Sequence, residues 1–147
     1  MDKESQKAIY ALKETWHKMD SLYSQYAKSV GLNSSSVVII QFLSDFSQVC
    51  TQKDICEGLG LPKQLVNTII KTFWEQGFVQ LKEGKDRRHK QIIITKSGKA
   101  FFASILHPLE GAELSAWDSF CADEIIAYAK TTEKYAQAFE SALAMLK

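Results

Sequence analysis

Thr51-Gln52-Lys53-Asp54-Ile55-Cys56-Glu57-Gly58-Leu59-Gly60-Leu61-Pro62 holds a helix start, a helix stop and a second helix start. Thr51 can cap a helix, and Asp54, three residues later, suits the positive first turn, the Ser/Thr-x-x-Asp/Glu signature. Ile55 and Leu59 share the inner face of that helix. Gly60 fits a left-handed turn, and Pro62 is tolerated at the first position of the next helix, where its missing N–H had no partner. The second helix is expected from about Pro62 to Gln76, with Leu65 or Val66, Ile69, Ile70 and Phe73 buried and Gly77 as its stop. Its other side carries Lys63, Gln64, Asn67, Thr68 and Lys71, whose side chains could reach a major groove, although any surface helix is polar outside. Phe78–Lys82 and Gln91–Thr95 then read as two strands of a hairpin with an extended loop. Helix, turn, helix, hairpin is the winged-helix order.

The hairpin loop is the charged run Lys82-Glu83-Gly84-Lys85-Asp86-Arg87-Arg88-His89-Lys90, and Arg87 and Arg88 are the only arginines of the chain. A guanidinium stays charged at any working pH and forks onto phosphate or base edges, so this placement points to a polyanion, with double-stranded DNA the first partner to test. The net charge of +1, from 18 basic and 17 acidic residues, is uninformative by itself. Its distribution matters more: residues 51–100 hold ten Lys/Arg against five Asp/Glu, and residues 101–147 three against seven. Such a polarised chain would draw a polyanion to its basic segment, whereas the competing reading is an ordinary solvated surface.

Outward from this centre the chain reads as helical. Ile9, Leu12, Trp16, Met19, Tyr23, Tyr26 and Val30 follow at alternating spacings of three and four. Such a seam belongs to a helix of roughly 25 residues that packs either within the chain or against a partner chain. Gly31 and Asn33 supply its stop, and a second helix is expected from about Ser34 to Phe46. A helix starting near Ser97 carries Phe101, Phe102, Ile105 and Leu109, with Pro108 expected to bend or break it. Asp123 and Glu124 suit the first turn of a last helix, whose apolar side is Ile125, Ala129, Ala136, Phe139, Leu143 and Leu146.

With 147 residues, one compact domain is the default. No apolar run approaches the ~20 residues that span a bilayer, and the polar start Met1-Asp2-Lys3-Glu4-Ser5 lacks a signal core, so a cytoplasmic protein without membrane association is expected. Cys50, Cys56 and Cys121 show no metal or disulfide spacing, and His17, His89 and His107 are scattered, so neither a metal site nor a cofactor is assigned. An enzyme finds no support either: there is no phosphate-binding glycine loop, no Gly-x-Ser-x-Gly elbow and no His-Glu-x-x-His pair.

Together these residues resemble the MarR family of transcriptional regulators. Its pattern is matched by Thr51-Gln52-Lys53-Asp54-Ile55-Cys56, Gly60-Leu61, Gly77-Phe78-Val79, Asp86-Arg87-Arg88 and Ile94-Thr95-Lys96-Ser97-Gly98, in order and spacing. The long terminal helices extend the likeness over essentially the whole chain. The resemblance implies a mainly α winged helix-turn-helix fold of about six helices with a small β-hairpin wing, in one MarR-like domain over 1–147. Residues 33–96 would form the DNA-binding lobe, and 1–32 with 97–147 the dimerisation helices. It further implies a homodimer on a pseudo-palindromic operator, more often a repressor than an activator.

By the same likeness Arg88 would enter the minor groove, braced by Asp86, while Lys85, Arg87 and Lys90 would sit on phosphates. Dimerisation would fall to Ile9, Leu12, Trp16, Met19, Phe139, Leu143 and Leu146. A small-molecule effector would bind between the lobes, against Trp16, His17, Tyr23 and Tyr26, although such aromatics are more often core. Pro62 and Leu65 depart from the family's Ser and Thr/Ser, so the operator sequence stays unread, and Gln64 and Asn67 are both open as adenine contacts. Two alternatives stand beside this reading. One is a redox-responsive regulator, in which Cys50 and Cys121 lie near segment ends where an oxidant could reach them and Cys56 is buried. The other is a winged-helix protein-interaction adaptor that leaves DNA alone.

Overall fold

A computed structural model describes residues 1–46, 49–84 and 90–146. Among them are six helices, α1 (Lys3–Ser29), α2 (Ser34–Asp45), α3 (Gln52–Leu59), α4 (Lys63–Glu75), α5 (Lys96–Trp117) and α6 (Ala122–Ala144), and three short strands, β1 (Cys50–Thr51), β2 (Val79–Lys82) and β3 (Gln91–Ile94). The strands form one antiparallel sheet in the order β1-β3-β2, with Cys50 opposite Ile92 and Val79 opposite Ile94. This is the mainly α, winged-helix architecture expected from the sequence, with one strand added. β1 is too short to show a period of its own and is a strand only because Cys50 and Thr51 pair with β3.

The local signals act where they were read. Asn33 caps α2 by accepting the Ser36 N–H at 2.8 Å. Thr51 caps α3 in a complete capping box: its Oγ1 accepts the Asp54 N–H at 3.3 Å, and the Asp54 carboxylate accepts the Thr51 N–H at 2.7 Å. Gly60 ends α3 at φ +64. Pro62 stands one position earlier than expected, as the N-cap of α4, where its carbonyl accepts the Val66 N–H at 3.1 Å. At the other end of α4 the Phe78 N–H donates to the Phe73 carbonyl at 2.8 Å and the Gly77 N–H to Trp74 at 3.0 Å. This double closure needs the left-handed backbone that Gly77 supplies at φ +75.

The contacts divide the chain into two compact units, Met1–Leu109 and Glu110–Lys147. The first holds the core, in which Phe73, Phe102, Ile39, Ile40, Ile55, Ile70, Val66 and Val79 are fully buried. The Phe73 and Phe102 rings meet with centroids 5.5 Å apart, and Phe78 stacks on Phe101 at 4.2 Å. In the second unit Trp117 contacts Phe120 and Tyr128 with centroids 5.2 and 5.8 Å apart.

Pro108 does not break α5, which runs helical from Lys96 to Trp117. A proline inside a helix frees the carbonyl four residues before it, here that of Ser104. Ser104 and Pro108 both lie on the exposed side, where water can serve that carbonyl, while Ile105, Leu106 and Leu109 pack into the core. The next carbonyl, of Ile105, is held from α1 by the Tyr26 hydroxyl, which donates to it at 2.5 Å.

Candidate nucleic-acid interface

α4 is amphipathic. Val66, Ile69, Ile70 and Phe73 anchor one side in the core, so Lys63, Gln64, Asn67, Thr68 and Lys71 project from the other, all exposed. Two hydroxyls of this outer side are used within the helix: Thr68 Oγ1 donates to the Gln64 carbonyl and Thr72 Oγ1 to the Thr68 carbonyl, each at 3.0 Å. Lys71 pairs loosely with Glu75 at 3.7 Å. An exposed pair at that distance is weak, so the ammonium can exchange it for a stronger anion.

The β2–β3 hairpin lies beside this helix. Its root is tied to the end of α4 through Thr95, whose N–H donates to the Phe78 carbonyl at 3.0 Å and whose hydroxyl donates to the Gly77 carbonyl at 2.6 Å. The same hydroxyl accepts the Gly98 N–H at 3.0 Å, capping α5. A side chain at Gly98 would collide with the Phe78 carbonyl, so the start of α5 touches the backbone where α4 passes into β2. One cluster of backbone contacts thereby fixes the angle between helix and hairpin. The expected wing residues Lys85, Asp86, Arg87 and Arg88, with His89, lie outside the described residues; Lys90, exposed, directly precedes β3.

Between α4 and the hairpin runs an open trough of about 290 Å³, lined by Gln52, Asn67, Lys71, Trp74, Leu81 and Lys90. Asn67, Lys71 and Lys90 are residues the sequence pointed to. Gln52, Trp74 and Leu81 were missed, because nothing local links the first residue of α3, the last turn of α4 and β2. The one available signal was Trp74, an aromatic falling at helical spacing behind Asn67 and Lys71 on a polar face.

The residues expected at a dimer contact are placed as follows. In the first unit Ile9, Leu12 and Met19 are each 40% exposed and Trp16 is half-buried. In the second, α6 buries none of its residues within the chain, and Phe139, Leu143 and Leu146 are all exposed. Of the aromatics considered for an effector, His17 and Tyr23 are exposed, Trp16 is half-buried, and Tyr26 is half-buried with its hydroxyl given to Ile105.

The cysteines differ from the expectation for two of the three. Cys50 is buried, and burial first, then the Asp54 carboxylate, push its thiol up to about 12, so it stays protonated and unreactive at working pH. Cys56 is half-buried and Cys121 exposed. Among the described residues no cluster of His, Cys, Asp or Glu could hold a metal ion, and no helix is long and apolar enough to cross a membrane.

A family model described as "MarR family" matches residues 30–89, the stretch from the end of α1 through the hairpin loop. An HTH-type transcriptional regulator of Bacillus subtilis strain 168, YwoH, is 32% identical over 75 residues, which are 51% of this chain and 54% of that protein. The chain thus spans about half the length of the curated relative it matches. Among solved structures, NMB1585, a MarR family regulator from Neisseria meningitidis, superposes with a TM-score of 0.78 at 23% identity over 100% of both chains. MepR of S. aureus, solved as a DNA complex, superposes with a TM-score of 0.73 at 16% identity, covering 88% of this chain and 96% of that one. The fold is therefore that of the MarR-type winged-helix transcription regulators.

Proposed function

We propose that this chain, a member of the MarR family, is a cytoplasmic, sequence-specific DNA-binding transcriptional repressor that grips a pseudo-palindromic operator as a homodimer. The observation that carries the reading is the two-sidedness of α4. One side is anchored through Val66, Ile69, Ile70 and Phe73, and the other offers two lysines, two side-chain amides and a hydroxyl beside a hairpin rooted in the same backbone cluster. A helix held rigidly on one side can present Gln64 and Asn67 to base edges in the major groove, with Lys63, Thr68 and Lys71 on the groove wall and phosphates. In this reading Arg88 enters the neighbouring minor groove, Asp86 braces the loop, and Lys85, Arg87 and Lys90 take phosphates. The apolar residues left exposed on α1, on α6 and just after α6, Ile9, Leu12, Met19, Phe139, Leu143 and Leu146, with the half-buried Trp16, meet a second copy.

The test is a salt titration of binding to mixed-sequence duplex. A phosphate-gripping lobe loses affinity along a straight line in log salt, with a slope of about −0.9 for each phosphate neutralised. A flat or absent response would instead favour the protein-interaction adaptor. Selection of bound genomic fragments then reports the operator, and Arg88→Ala should weaken binding to it while sedimentation shows an unchanged dimer.

A further inference from the structure

The trough between α4 and the hairpin contains a residue to which the DNA reading assigns no work. Trp74 closes a strip formed with Lys63, Asn67 and Lys71, each three or four residues after the last and so on one side of the helix. Trp74 is 52% exposed, whereas Phe73, Ile70, Ile69 and Val66 of the same helix are buried. It lines the trough with Leu81, and these two apolar residues share that lining with Lys71, Lys90, Gln52 and Asn67. Glu75 is the acidic residue beside this group, held by Lys71 at 3.7 Å.

This lining suits one kind of occupant. A divalent cation would want carboxylates, and among the described residues none lines the trough. An apolar peptide segment would have to desolvate two ammonium groups without an anion in exchange. A phosphodiester strand satisfies both halves of the lining: its phosphates meet the lysines and amides, and the carbons of its deoxyribose cover the indole and Leu81. In the DNA-binding reading, a strand passing from the groove that takes α4 to the neighbouring groove crosses between α4 and the β2–β3 strands, where the trough runs.

We propose that Trp74 is a DNA-contact residue, its indole packing on a deoxyribose of the strand seated between α4 and the wing. The assignment rests on the DNA-binding reading above and deepens it. The contact is apolar and adjoins sugar, so it contributes affinity without choosing sequence and without releasing counterions. Lys71 and Lys90 flank it as phosphate ligands.

The test is the salt titration repeated on Trp74→Ala, Trp74→Phe, Lys71→Ala and Lys90→Ala, each checked by thermal unfolding. Trp74→Ala should weaken binding to mixed-sequence duplex about tenfold, or about 1.4 kcal/mol, at every salt concentration, with unchanged slope and unfolding temperature. Trp74→Phe should recover most of that loss. Each lysine variant should make the slope shallower by about 0.9. Wild-type binding together with an indifferent Trp74→Ala would overturn this assignment alone, as would a Trp74→Ala loss that comes with a shallower slope. If the wild type ignored duplex at low salt, the DNA-binding reading would fail and this one with it.

Discussion

Replacing Gly98 and Gly111 by alanine, two substitutions in one helix, should move stability in opposite directions. A Cβ on Gly98 would stand 1.9 Å from the Phe78 carbonyl oxygen, 2.8 Å from its carbon and 3.0 Å from its Cα, whereas a Cβ on Gly111 would meet nothing within 4 Å. All three neighbours at Gly98 are backbone, so no side chain can swing aside. The oxygen would have to retreat by more than an ångström, yet it accepts the Thr95 N–H at 3.0 Å, and the N–H of the same residue is bound to Phe73 at 2.8 Å.

Overpacking of this kind costs about 1–3 kcal/mol, and loosening one backbone hydrogen bond costs about another 1. Alanine regains about 1 over glycine inside a helix. The net is a loss of roughly 1–3 kcal/mol for Gly98→Ala and a gain of up to about 1 for Gly111→Ala. For a chain of this size each kcal/mol shifts the midpoint by about 2–4 °C. Gly98→Ala should thus melt roughly 2–12 °C below wild type, and Gly111→Ala up to about 4 °C above it. Thermal unfolding followed by far-ultraviolet circular dichroism measures both, at one protomer concentration because association would shift the midpoint. Two alanines of equal sign would refute the close-approach argument. Since Phe78 leads into β2, Gly98→Ala should also weaken duplex binding at temperatures where the variant is still folded.

Thr51→Ala removes the hydroxyl half of the α3 capping box and should cost about 1 kcal/mol; an unchanged denaturant midpoint would show that the cap is idle. Cys121, exposed, should take up iodoacetamide or peroxide in the native protein near pH 8, whereas Cys50 should react only after unfolding, because below about 12 its thiol keeps its proton. Mass mapping decides this, and native labelling of Cys50 would reverse our placement of it. Phe139→Glu and Leu143→Glu, at side chains 50% and 45% exposed within one chain, should leave the protomer a cooperative thermal transition whose midpoint falls only by what association contributed. Both should also convert the sedimenting species to monomer and weaken operator binding; a dimer that survives both would move the interface away from α6.

Wherever a feature depends on residues close along the chain, it could be read from the chain. The Thr51–Asp54 box, the left-handed stop at Gly60, the closure at Gly77, the inner face of α4 and the two hairpin strands are products of capping chemistry, backbone sterics and hydrophobic period, all of which act over a few residues. Pro62 was misplaced by a single residue, because an N-cap and a first helical position differ only in backbone angle. What depended on distant residues was illegible. β1 exists because Cys50 and Thr51 meet Gln91 and Ile92, and the same meeting takes the Cys50 thiol out of reach. Helix α5 continues through Pro108 because its freed carbonyl faces water while its neighbours are held by the core and by Tyr26. The trough is decided the same way: Gln52, Trp74, Leu81 and Lys90 belong to four separate segments and share a surface only after the core has set helix and hairpin side by side. Local chemistry specifies elements, but which side chains from different elements face one another is set by the packing of the whole.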